Sequence, residues 1–62
     1  MWKNYFVSFG FYKDGRYILS SREAEVFVEE NYSQGHIAQL LEGEVAAMQE
    51  DQSVVILNFW EM

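Results

Sequence analysis

SSREAEVFVEEN, residues 20–31, admits two readings, and the fold turns on the choice between them. As a helix, Ser20 and Glu23 form an S-x-x-E capping box: the serine accepts from the first helical turn and the glutamate reaches back. Ala24, Phe27, Val28 and Asn31 then share one face, with Glu23, Glu25, Glu29 and Glu30 on the flanks and back. As a strand, Ala24, Val26 and Val28 alternate along one side, and the β-branched valines favour that state. The capping box tips the reading towards a short helix over residues 21–31, with a strand as its competitor.

Towards the N-terminus the pattern is plainer. NYFVSFGFY, residues 4–12, alternates, with Tyr5, Val7, Phe9 and Phe11 on one face. Asp14-Gly15 follows, a pair suited to a type I′ turn because both central positions need positive φ. That turn sets Lys13 opposite Arg16, Tyr12 opposite Tyr17 and Phe11 opposite Ile18. The Lys13–Arg16 apposition is a mild like-charge penalty at a solvated tip.

Towards the C-terminus, Ser33 or Asn31 can cap a second helix, in which Ile37, Leu40, Leu41, Val45 and Met48 recur at spacings of three and four. At about 100° per residue Glu44 falls roughly 20° from Ile37, inside the apolar stripe. Gly43 beside it costs about 1 kcal/mol relative to alanine in a helix. Three arrangements remain open. Gly43 ends the helix and turns Glu44 outward; or the helix continues and Glu44 reaches water past the edge of a shallow groove. The third presents Glu44 at an interface or builds a hairpin around Glu42-Gly43. Burying an unpaired carboxylate would cost many kcal/mol.

SVVILNFW, residues 53–60, reads as a strand with Val55, Leu57 and Phe59 on one face and Val54, Ile56 and Trp60 on the other. The expectation is an α+β fold in a single domain, 1–62: N-terminal β-hairpin, helical middle, C-terminal strand, and a three-stranded antiparallel sheet. Helices on one side leave the other face to Trp2, Phe6, Tyr12, Tyr17, Leu19, Ile56 and Trp60. Monomers rarely expose so large an apolar patch, so a homodimer through the sheet or an edge follows.

Composition agrees. Half of the 62 residues are hydrophobic and 18% aromatic, which marks a folded chain with more aromatic rings than so small an interior accommodates. There is no Cys to form a disulfide or a thiolate metal site. The first residues do not read as a signal peptide, and the longest apolar run, Val54 to Leu57, is far short of a membrane span. A cytoplasmic location without membrane attachment is the expectation.

Charge is unevenly placed. Net charge is −6; Lys3, Lys13, Arg16 and Arg22 all lie in the first 22 positions, and nine acids with no Lys or Arg follow. Direct nucleic-acid binding is disfavoured, because phosphate affinity comes largely from basic groups that displace counterions. A basic, nucleic-acid-binding protein is a better electrostatic match. Carboxylates that only solubilise an aromatic-rich chain are the alternative.

Catalytic signals are weak. His36 is the single histidine, and neither Ser33 nor Ser53 stands in a nucleophile motif with it. The four glycines form neither a Walker loop nor a dinucleotide fingerprint, and Glu50-Asp51 offers too few converging ligands for Mg²⁺. No enzyme activity, metal or cofactor is expected. An interaction surface is: aromatic and aliphatic side chains supply anchors and acids steer towards a basic partner. The candidate partner-binding residues are Glu25, Glu29, Glu42 and Glu44, with Leu40, Leu41 and Met48 lining an apolar groove. Glu23, Glu30 and Glu50 extend the acidic set, which could imitate part of the phosphate row of DNA.

The order of an Asp14-Gly15 hairpin, a helical middle and a closing SVVILNFW strand in a short acidic chain resembles the small phage-encoded inhibitors of uracil-DNA glycosylase. That resemblance implies a homodimeric DNA mimic that blocks a host nucleic-acid-binding protein, a repair glycosylase among the candidates, by holding an apolar residue of the enzyme in a pocket. A structural or assembly module acting through homodimerisation is the alternative.

Overall fold

The computed structural model describes residues 1–50 and 52–62. β1 (Trp2–Lys13) and β2 (Arg16–Phe27) form a long hairpin, α1 (Gln34–Met48) follows, and β3 (Val55–Glu61) closes a three-stranded antiparallel sheet in the order β2-β1-β3. This is the expected α+β architecture, with β1 in the centre.

The hairpin turn has the anticipated geometry. Asp14 and Gly15 take φ of 53° and 77°, and Lys13–Arg16, Tyr12–Tyr17 and Phe11–Ile18 are opposed. The register then runs unbroken to Trp2–Phe27, and Met1 and Val28 exchange one more pair of bonds of 2.9 and 2.8 Å.

That run corrects the helix expected over residues 21–31. Residues 21–27 belong to β2, Val28 is buried beyond its end, and a turn closes with Tyr32 N–H donating to the Glu29 carbonyl at 3.1 Å. A capping box satisfies two donors at one helix end. Pairing with β1 satisfies the inward-edge backbone groups from residue 21 to Val28, leaving those on the outer edge to water, and seats Ala24, Val26 and Val28 in the core. Tertiary pairing overrides the local signal.

The second helix forms where expected. Ser33 is its N-cap and accepts from the His36 backbone N–H at 3.1 Å; the Gln49 N–H closes the far end on the carbonyls of Val45 and Ala46. Gly43 does not break it. Ile37, Leu41 and Val45 are buried and Leu40, Ala46 and Met48 pack against the core, yet Glu44 is exposed. The buried line, i, i+4, i+8, is centred on Leu41, roughly 60° from Glu44 at about 100° per residue. Glu44 therefore reaches water with the helix intact.

The closing strand carries a second correction. Between Ser8 and Phe9 the register of β1 against β3 shifts: Ser8 faces Asn58, but Phe9 faces Ile56, leaving Leu57 as an extra residue. At this β-bulge the Phe59 N–H is taken by the Asn58 Oδ1 at 2.9 Å. A bulge inverts the alternation that simple pleating predicts. Ile56 and Phe59 therefore both pack on the core side, opposite Phe9 and Val7, and Val55 opposite Gly10 turns to the other face. The core lies between the inner sheet face and α1, with Phe9, Leu41, Val7 and Val45 fully buried.

Candidate protein-interaction surface

The inner face of the sheet, built on Tyr5, Val7, Phe9 and Phe11, is covered by α1; among the described residues no element lies over the outer face. Register places its residues in rows. From one end they run Phe27–Trp2, Glu25–Asn4, Glu23–Phe6–Trp60, Ser21–Ser8–Asn58, Leu19–Gly10–Val55 and Tyr17–Tyr12. Seven of the large apolar members are 45–66% exposed, from Tyr17 at 45% to Tyr12 and Leu19 at 66%.

The rings on this face are ordered against one another. Trp2 and Phe27 meet edge to face at 5.6 Å, Phe6 and Trp60 lie tilted at 5.2 Å, and Tyr12 and Tyr17 at 5.0 Å. Such pairs add to area burial and hold the rings in place. Gly10 serves the same end: its missing side chain leaves the space in which the Tyr17 ring rests, and any Cβ there would collide with that ring. The outer face is a preformed aromatic surface.

Charge on this face is one-sided. Glu23 and Glu25, both exposed, lie along β2, and no basic residue shares the face. Lys13 and Arg16 sit at the hairpin tip, and Lys3 pairs with Glu61 at 3.3 Å on the other side of the sheet. Arg22, opposite Val7 on the inner face, is half-buried with its Nε lacking a hydrogen-bond partner. Along the chain Glu23 and Glu25 lead to the exposed Glu29 and Glu30 beyond β2.

The partner-binding residues expected from sequence do not form one surface. Glu25 is on the outer sheet face and Glu29 in the β2–α1 connection; Glu42 and Glu44 are exposed on the helix that covers the opposite face. Leu41 is fully buried, which removes it from any partner's reach, and Leu40 is half-buried against the core. Met48 lines a depression of about 320 Å³ with Phe11, Lys13 and Gln52, whose Nε2 donates to the Tyr12 carbonyl at 2.6 Å. Phe27 and Val55 complete the outer face, although neither was expected there. Carrying the Asp14-Gly15 register back to Trp2 would have found Phe27; a bulge leaves no comparable mark in sequence.

A larger depression of about 620 Å³ opens between the first residues of β1 and the start of α1, lined by Lys3, Tyr5, Glu29, Tyr32 and Glu61 among others. His36 is exposed and stacks on Tyr32 at 3.9 Å, which is a surface role. Among the described residues no group of three or more His, Cys, Asp or Glu side chains could hold a metal ion, and no helix is long and apolar enough to cross a membrane. Comparison with protein-family models, curated proteins and solved structures finds no match for this chain, the glycosylase inhibitors included.

Proposed function

We propose that this chain is a protein-interaction module whose working surface is the outer face of its sheet. One observation carries the reading: a face on which seven large aromatic and aliphatic side chains are 45–66% exposed, on a chain whose core packs without them. Taking roughly 200 Å² for an aromatic side chain, the exposed portions of this face amount to on the order of 700 Å². The largest apolar patch on a typical monomer is about 300–600 Å².

Hydroxyl-radical labelling tests the surface whatever covers it. In crude extract of the cells that make the protein, Trp2, Phe27 and Trp60 are expected to be protected relative to dilute purified protein, with Tyr32 and His36 labelled alike in both. Equal labelling of the outer-face rings in the two states would sink the reading.

A second reading, an acidic inhibitor that mimics DNA, is favoured by the exposed Glu23, Glu25, Glu29 and Glu30, which follow one another along and beyond β2 with no basic residue among them. Such an inhibitor would block a basic nucleic-acid-binding protein, and uracil-DNA glycosylase is the first to try because of the resemblance noted above. Binding should weaken steeply between low and high salt and again when Glu25 and Glu29 become Gln. Affinity indifferent to both changes would count decisively against mimicry.

A further inference from the structure

We propose that the occupant of the outer face is a second copy of this chain, packed face to face about a two-fold axis that runs parallel to the strands over β1. The proposal rests on the reading of the outer face as the working surface and adds to it the partner and the geometry.

Area is the first argument. A standard protein–protein interface takes about 800 Å² from each partner. The exposed portions of the seven large apolar residues, on the order of 700 Å² at roughly 200 Å² per aromatic side chain, nearly reach that figure before the polar rows of the face are counted. All three strands contribute apolar side chains to the face, Phe27 and Leu19 on β2, Trp2, Phe6 and Tyr12 on β1, and Val55 and Trp60 on β3, with the polar rows Glu25–Asn4 and Ser21–Ser8–Asn58 between them. A sheet face of this kind can pack on a second sheet, as in aligned sheet sandwiches with layers about 10 Å apart.

Charge selects the axis. Two-fold axes lying between the sheets can run along or across the strands. An axis across them stacks β2 on β2. It then sets the Glu23 row of one copy against the Ser21 row of the other, bringing the two copies' Glu23 side chains to one row, two residues' rise or about 7 Å, apart along the strands. An axis along the strands, over β1, stacks β2 of one copy on β3 of the other. Glu23 and Glu25 then face a strand whose outer residues are Val55, Asn58 and Trp60, with no acid among them. Like charges brought close across an interface are disfavoured, so the lengthwise axis, which sets each copy's β2 carboxylates on the far edge from its partner's, is the one this surface favours. It sets Leu19 of each copy over Val55 of its partner, Phe6 near Phe6, and Ser8 near Ser8.

The Leu19–Val55 apposition makes the geometry testable. Leu19 is 66% exposed and Val55 54% exposed, so substitution at either leaves the monomer's core untouched. Sedimentation equilibrium of the full chain at 10–100 µM (about the range for modest self-affinity) should give about 14.6 kDa, twice the 7.3 kDa chain. Leu19→Lys should return the mass to that of one chain with an unchanged far-ultraviolet circular dichroism spectrum. Adding Val55→Glu to it should restore the dimer, because lysine and glutamate then meet across the interface.

Under the crosswise axis Leu19 would instead lie over Glu25 of the partner, and Leu19→Lys would keep the dimer. That result would overturn the assigned geometry. A parent chain that stays at 7.3 kDa throughout would overturn the second copy as occupant. Combined with Trp2 and Trp60 protection in extract, it would assign the face to a different protein; without that protection, the reading of the face would fall as well. Glu42→Lys, on the helix side, should leave the mass of the dimer unchanged, and its dissociation would argue against the sheet as the interface.

Discussion

β1 sends alternate side chains to two environments. Tyr5, Val7, Phe9 and Phe11 are at most 9% exposed, whereas Trp2 and Tyr12 on the other side are 65% and 66% exposed. Both sets carry large aromatic rings, though Asn4 and Ser8 make the outer set the more polar; what leaves its rings exposed is that α1 lies over the other side. β2 and β3 both run antiparallel to β1 and so parallel to each other, which makes α1 a crossover connection. Such crossovers are overwhelmingly right-handed, so one helix can cover one face. The uncovered rings are the consequence of a chain with aromatic residues for two faces and a helix for one.

The contrast is sharpest in the effect of truncation or charge. Leu41 is fully buried beneath the inner face, and Leu41→Ala should cost about 3 kcal/mol. A chain of this length has only about 6 kcal/mol to lose, at about 0.1 kcal/mol per residue, so urea denaturation should find the variant with about half the parent's stability. A loss below about 1 kcal/mol would mean that α1 is not what seals this face.

Smaller effects should come from the helix's exposed side, and both are gains. Glu50 follows the helix with φ of 58°, a left-handed conformation that costs a non-glycine residue about 1 kcal/mol. Glu50→Gly should raise the urea midpoint accordingly, and also removes an anion from the negative end of the helix dipole. Gly43 has open space around the position a Cβ would take. Gly43→Ala should therefore stabilise by about 0.8 kcal/mol; destabilisation in the same assay would reveal a contact on that side. Smallest of all, Leu19→Lys on the outer face should shift the stability of dilute monomer by less than about 0.5 kcal/mol. A shift as large as that of Leu41→Ala would erase the distinction between the faces.

Much of this was legible residue by residue. Asp14-Gly15 specified a turn type and therefore a register, and the spacing of Ile37, Leu41 and Val45 specified a helix, because these signals act between near neighbours. The segment 21–31 was not legible in that way. Its capping box is a local device of modest strength, and the pairing partner that defeats it lies near the chain's first residues. The bulge at Leu57 was hidden for a related reason. Either pleat of SVVILNFW is apolar, so composition could not say which side chains turn inward until Phe9 and Ile56 were aligned.

The interaction surface divides the same way. The surplus of aromatic rings and the predominance of acids after residue 22 belong to the sequence, and they determined that this chain carries more apolar surface than it can bury. Alternation already named Trp2, Tyr12, Tyr17, Leu19 and Trp60 for that surface; the remainder was decided by tertiary structure, which turned Ile56 inward at the bulge and set α1 in its place. That position withdrew Leu41 into the core, parted Glu42 and Glu44 from Glu25, and left Phe27 and Val55 in water. Local sequence sets turns, caps and periodicities because those interactions span a few residues; which side chains of a strand apolar on both pleats, such as SVVILNFW, turn inward is settled only when distant segments meet.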